Sequence, residues 1–240
     1  MDVVSTTLNN RERSWPLSIL KGFTRAGLSR KLLTVLLLGL FACSGLGPTA
    51  TVRSASRQEV RSFFQSSKKT VVTFVGYSGA GYEDQAAMLK QAEHILSEFD
   101  PQKTIVNIGA TPEGIGGIYE LAKRKGFVTT GIVSSQAKRH NVQLSPYVDY
   151  VFYVDDAEWG GFLNGTERLS ATSEAMIENS DVVIGIGGGE IARDELIAAR
   201  RSSKKVRFIP ADMNHQKARE TARKKGLPEP DFRGAAHGAF

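Results

Sequence analysis

Three glycine-rich stretches and one glutamate carry the chemistry legible in this chain. The stretches are residues 76–81 (Gly-Tyr-Ser-Gly-Ala-Gly), 109–117 (Gly-Ala-Thr-Pro-Glu-Gly-Ile-Gly-Gly) and 185–189 (Gly-Ile-Gly-Gly-Gly). Each follows an apolar run, and the second and third open a stretch with helical spacing. Glycine lets a ligand approach the backbone closely. Unpaired amides at a helix start, with the helix dipole, favour an anion there. The pattern predicts a phosphate-containing ligand held by Gly109, Gly114, Gly116 and Gly117 in the second stretch and by Gly187, Gly188 and Gly189 in the third. Thr111 offers a hydroxyl donor, and Gly76 and Ser78 of the first stretch offer a flexible wall with a small hydroxyl. No Gly-Lys-Ser/Thr follows any of the turns, so this is not a P-loop, and there is no clean Gly-x-Gly-x-x-Gly dinucleotide fingerprint.

The elements that must position these turns are readable from periodicity. Short apolar, β-branched runs predict strands over residues 70–76, 103–109, 127–133, 148–154, 181–187 and 205–209. Amphipathic stretches predict helices over residues 84–99, 114–125, 168–179, 189–200 and 215–225. Near-continuous apolar strands alternating with such helices imply an α/β fold: a three-layer, Rossmann-like, doubly wound parallel sheet. Ligands of such sheets sit beyond the strand carboxyl ends, where the winding reverses. All three glycine turns fall at strand carboxyl ends, so they are expected to converge on one rim. The nucleotide-binding domain spans residues 65–226, and a tail rich in Gly, Ala and Pro, residues 227–240, reads as irregular.

The first 64 residues read differently. Residues 32–42 (LLTVLLLGLFA) are uncharged and mostly apolar, preceded by Arg30 and Lys31 and followed by Cys43. The run is too short for a membrane span of about 20 residues and fits the h-region of a secretory signal. Leu40-Phe41-Ala42-Cys43 resembles a bacterial lipobox, with Phe41 in place of the usual small residue. Residues 1–43 are therefore read as a lipoprotein-like signal peptide or a membrane anchor, against the alternative of an apolar helix packed on the domain. Residues 44–64 read as a linker. The expected location is a bacterial membrane or the exported space, with the cytoplasm as the alternative.

Charge and cysteine count exclude several classes. The net charge is +6, but residues 1–31 hold six basic and two acidic residues, which leaves the remainder at +2. A nearly balanced body argues against a nucleic-acid partner. The single cysteine forbids an internal disulfide, and the four histidines have no zinc-ligand spacing, so neither a metal nor a cofactor is expected. Asp155, Asp156 and Glu158, followed by Trp159-Gly160-Gly161-Phe162, form an acidic loop in which Trp159 could stack on a base; a plain surface loop is the competing reading.

In order and content the turns resemble the SLOG superfamily and, within it, the Lonely Guy (LOG) group, formerly labelled possible lysine decarboxylases. Residues 109–117 match the spacing of that family's Gly-Gly-Gly-x-x-Gly-x-Met-Gly, with Ala110 and Thr111 replacing two glycines. Residues 187–195 match its Pro-Gly-Gly-x-Gly-Thr-x-x-Glu in Gly188, Gly189 and Glu195, without the proline, third glycine and threonine. Met176 and Asp181 also fall at the family spacing. The likeness covers residues 70–209. It implies hydrolysis of the bond between a base and ribose 5′-monophosphate, with Glu195 at the position of the family glutamate, and it implies a homodimer. The family's arginine-lysine pair falls at Thr172-Ser173 here. Arg168, one helical turn earlier, or Arg193, near the third turn, is the expected replacement cation.

Two readings follow. One is an N-glycosidase acting on a nucleoside 5′-monophosphate, with Glu195, Arg168 and Arg193 as its catalytic residues. The other is a non-catalytic sensor or carrier that binds a nucleotide and is anchored at the membrane. The lost Arg-Lys pair and the apparent export favour the second; the twin glycine turns and Glu195 favour the first.

Overall fold

A computed structural model describes residues 50–240. The expected leader, Cys43 and the first part of the linker lie outside the described residues. Seven strands form one fully parallel sheet: β1 (Thr51–Ser54), β2 (Thr70–Gly76), β3 (Thr104–Ile108), β4 (Val128–Ser134), β5 (Tyr150–Val154), β6 (Val182–Ile186) and β7 (Lys205–Ile209). Their order is β1-β5-β4-β3-β2-β6-β7. Winding therefore reverses between β2 and β6.

Successive side chains of a strand point to opposite faces, which builds two cores. Val72 and Phe74 of β2 join one core, and Val71 and Val75 join the other. Helices α2 (Gln85–Leu96), α3 (Gly117–Arg124) and α4 (Ser135–Arg139) supply the first; α1 (Arg57–Ser67), α5 (Ala171–Glu178) and α6 (Glu190–Arg201) supply the second. A last helix, α7 (His215–Lys225), follows β7. This is the three-layer, doubly wound, Rossmann-like sheet expected from the alternation of apolar runs and amphipathic stretches.

A chain of buried polar side chains crosses the middle of the sheet on the second face. Asn107 Nδ2 donates to Thr73 Oγ1 at 3.2 Å and to Met176 Sδ at 2.8 Å, and Thr130 Oγ1 donates to Asn107 Oδ1 at 3.0 Å. Thr73 and Ser180 share a further bond of 2.6 Å. These contacts tie α5 to β2, β3 and β4 and fix the height at which Met176 sits over the sheet.

Two boundaries differ from the sequence reading. Residues 51–64 are not a linker. Thr51–Ser54 add β1 beside β5, and α1 buries Val60 and Phe64. A capping box starts that helix: Glu59 N donates to Ser56 Oγ at 3.3 Å, and Ser56 N donates to Glu59 Oε2 at 2.7 Å. The Ser-x-x-Glu spacing at Ser56–Glu59 was its sequence signature. The tail is irregular only in part: Ala235–Ala239 make a 3₁₀ turn packed on α6, with Ala236 and Ala239 in the second core. Among the described residues, no helix is long and apolar enough to cross a membrane.

Candidate functional site

A cavity of about 490 Å³ opens at the carboxyl ends of β2, β3 and β4. The strand ends supply its polar floor: Gly76, Ser78 and Gly79 after β2, Gly109 and Thr111 after β3, and Ser134 closing β4. Parallel strands end in loops here because their crossovers must run back over the sheet. The walls are apolar, with Ile108, Ile132, Val133, Leu144, Met176 and Ile191 among them. Trp159, about half exposed at 51%, stands at the mouth with the His140 ring stacked on it at 5.6 Å and 29°.

Glu195 enters this cavity from the second turn of α6. It is 6% exposed, and Ser173 Oγ donates to its Oε1 at 2.6 Å. Its Oε2 has no hydrogen-bond partner among the described residues. Burial pushes the carboxyl up to about 7; the Ser173 hydroxyl opposes that shift, and the Asp194 carboxylate adds to it. Near neutral pH the group is thus poised between acid and carboxylate, able to donate or accept a proton. Ser173 is held in turn by the Gly161 amide, which donates to its Oγ at 2.8 Å.

The neighbouring acids have structural duties. Asp194 accepts from Phe162 N at 2.8 Å and from Arg193 Nε at 2.9 Å. Asp156 faces inward and accepts from Thr172 N at 2.7 Å and Glu158 N at 2.9 Å. Burial alone raises its carboxyl, but these amides, with the Thr172 and Ser170 hydroxyls close by, hold it below its usual value. The Thr172 hydroxyl is enclosed and lies near Asp156 in a geometry that makes no well-formed hydrogen bond. Asp155 pairs with Arg139 at 3.3 Å on the surface. Of the acidic loop, Trp159 alone lines the cavity. A side chain on Gly161, which has φ +79°, would press on Asp194 Oδ2, so glycine there is what lets the loop seat itself on α6 and bring Trp159 to the mouth.

The glycine turns meet on one rim as their spacing predicts, but they pack on one another and only some of their residues face the cavity. Gly76, Ser78, Gly109 and Thr111 line the cavity; Gly114, Gly116, Gly117, Gly187, Gly188 and Gly189 do not. A Cβ on Gly114 would overlap the Tyr77 and Ser78 carbonyls, and one on Gly116 would overlap the Thr111 carbonyl. Gly117 packs against Gln85 and Leu89. These glycines let the 109–117 segment fold tightly onto the first turn rather than around a ligand. The crevice between β2 and β6, where the winding reverses, is filled. Tyr82 Oη donates to Ile186 O at 2.6 Å and accepts from Tyr77 N at 3.2 Å. The Tyr77 ring lies against Gly187, and its hydroxyl donates to Arg233 O at 2.8 Å. Gly188, at φ +132°, packs on Ala192 and Ala236, and Ala236 N donates to the Gly188 carbonyl at 3.0 Å. The chain's own C-terminal segment packs on Gly188, beside the start of α6.

The expected replacement cations are also elsewhere. The predicted helix over residues 168–179 starts at Ala171 with Ser170 as its cap, so Arg168 lies in the preceding loop, exposed and outside the cavity lining. Arg193 is paired with Asp194, 2.8 Å away, and does not line the cavity. Among the described residues, Glu113 and Glu195 are the charged side chains of the lining, and no group of His, Cys, Asp and Glu is placed to hold a metal ion. Ser173 was legible in the sequence as a lost cation; that it becomes the partner of Glu195 needed the packing of α5 on α6.

The chain matches no protein-family model and no curated relative. Similar solved structures include two of the molybdenum cofactor carrier protein of Chlamydomonas reinhardtii. One has a TM-score of 0.42 and 18% identity, covering 58% of this chain and 76% of that one. The other has a TM-score of 0.43 and 16% identity, covering 66% and 85%. A structural-genomics target designated TM1055 has a TM-score of 0.42 and 19% identity, covering 57% and 72%.

Proposed function

We propose that this protein is a binding module for a nucleotide-class ligand with a planar base, held in the cavity at the ends of β2, β3 and β4 and not cleaved there. The observation that carries this reading is the pairing of Glu195 on the wall with a lining that holds no ammonium or guanidinium group among the described residues. A phosphoribohydrolase must grip its phosphate and steady the charge that develops as the base departs. Here the positions that resemble the family's cationic pair are Thr172 and Ser173, and Ser173 holds one oxygen of the glutamate. Trp159 and His140 at the mouth offer a π-face on which a base can stack.

The test uses the full chain with a panel of nucleosides and nucleoside 5′-monophosphates, measuring released base and thermal stabilisation together. Stabilisation without release, abolished by Gly109→Leu, supports the module. That substitution suits the purpose because a Cβ on Gly109 meets nothing within 4 Å. Base release that disappears in Glu195→Gln supports the hydrolase reading instead, for which the position of Glu195 on the cavity wall speaks.

We also propose that residues 1–43 direct export, with Cys43 as the lipidated residue. Metabolic labelling with a fatty-acid probe, lost in Cys43→Ser, tests this; a wild-type protein that takes up no label overturns it. Homodimerisation remains a proposal from the LOG resemblance, to be read by sedimentation.

A further inference from the structure

The lining of the cavity holds no Lys or Arg among the described residues. Several donors of the second and third turns are spent inside the protein. In the 109–117 segment Ala110 N donates to Tyr119 Oη at 3.0 Å, Ile115 N to Tyr77 O at 2.7 Å and Gly116 N to Glu113 O at 3.0 Å. Gly117 N donates to the Gly114 and Ile115 carbonyls, and Pro112 has no N–H. In the third turn Gly187 N donates to Ile209 O at 2.8 Å, and Ala236 sits on Gly188. Three basic side chains beside the turns have partners. Lys217 lies 3.5 Å from Glu113 and donates to the Gly79 carbonyl at 3.3 Å, Arg139 pairs with Asp155, and Arg193 pairs with Asp194.

We infer that the cavity selects a nucleoside or free base over the corresponding phosphate ester, with Glu195 Oε2 reading an N–H or hydroxyl of the ligand and the apolar walls taking its ring. This rests on the binding reading above. A phosphate dianion here would meet the Glu195 side chain with no cation in the lining to offset it, and charges interact more strongly in a partly dehydrated cavity than in water. The faces of a neutral ring gain on leaving water for the Ile132, Val133 and Met176 walls, provided its polar edge finds a partner such as Glu195. The buried carboxyl, poised near neutrality, can serve a neutral partner as donor or as acceptor.

The test is isothermal titration of the full chain with adenosine, guanosine and cytidine, each against its own 5′-monophosphate. The nucleoside of at least one pair is expected to bind at least about tenfold more tightly than its monophosphate. Ile191→Arg, which places a guanidinium at a rim position 41% exposed, is expected to raise monophosphate affinity. Preference of the wild type for the monophosphates overturns this inference and leaves the binding reading standing. Binding of neither class, with no effect of Gly109→Leu on stability toward any of the six compounds, overturns both.

Discussion

Ser173 Oγ donates to Glu195 Oε1 across 2.6 Å of buried space, joining α5 to α6 beneath the cavity. The bond leaves one carboxylate oxygen committed and the other free. It also makes the charge state of a single glutamate a term in the stability of the protein.

Glu195 stands at about 7 when folded, against an ordinary 4.5. Its folded pKa is raised, so the stability it lends is full below about 4.5 and is lost as pH rises through about 7, where the buried group ionises beside Asp194. Glu195→Gln keeps an acceptor for Ser173 and removes that ionisation. It is expected to be more stable than wild type at pH 8 by on the order of 1–3 kcal/mol, and about equal to it near pH 4.5. Urea unfolding at the two pH values measures this; an equal difference at both discards it.

Ser173→Ala removes the one hydrogen bond that lowers the Glu195 pKa, so the glutamate should titrate higher still. The loss of a buried, charge-assisted bond is expected to cost about 1–3 kcal/mol above pH 7. Carboxyl chemical shifts followed against pH report the titration directly, a readout that plain loss of packing does not move.

Tyr119 is fully enclosed, accepting from Ala110 N at 3.0 Å and donating to Thr130 O at 2.8 Å. It holds Ala110 at φ +55°, in the left-handed region that a non-glycine residue enters at a cost. Tyr119→Phe leaves the Ala110 amide unpaired and removes a donor from the Thr130 carbonyl, and is expected to destabilise by roughly 2–4 kcal/mol. Thermal unfolding gives the magnitude, and a loss below half a degree in midpoint contradicts the assignment.

Asn107 satisfies Thr73, Thr130 and Met176 at once. Asn107→Ala opens a void and orphans the Thr130 hydroxyl, and is expected to cost on the order of 3 kcal/mol. Because Met176 lines the cavity, ligand stabilisation should weaken with it; unchanged binding in this variant means that α5 does not depend on the polar chain for its seat.

The tail predicts a local effect. Tyr77→Phe severs the bond to Arg233 O, at an expected cost of about 1 kcal/mol. Amide exchange at Ala236 should quicken, since its N–H is bonded to the Gly188 carbonyl. Unchanged exchange at Ala236 contradicts the plug.

By itself the sequence determined the fold class, because the alternation of apolar runs with 3.6-residue periodicity depends on local spacing. It also determined which turns stand at strand carboxyl ends and that Glu195 sits on the helix after β6, since those follow from chain order. Tertiary structure decided what fills the space between the turns. Glycines at 114, 116, 187 and 188 read alike whether they admit a phosphate or the protein's own atoms, and here Tyr77, Tyr82 and Ala236 take the place. It decided that Arg168 falls before its helix and that Arg193 faces Asp194, because both depend on a start and a rotation that periodicity leaves open by a residue or two. It also turned Ser173 from a missing cation into the partner of a buried carboxyl, a relation between two helices that no spacing along the chain contains.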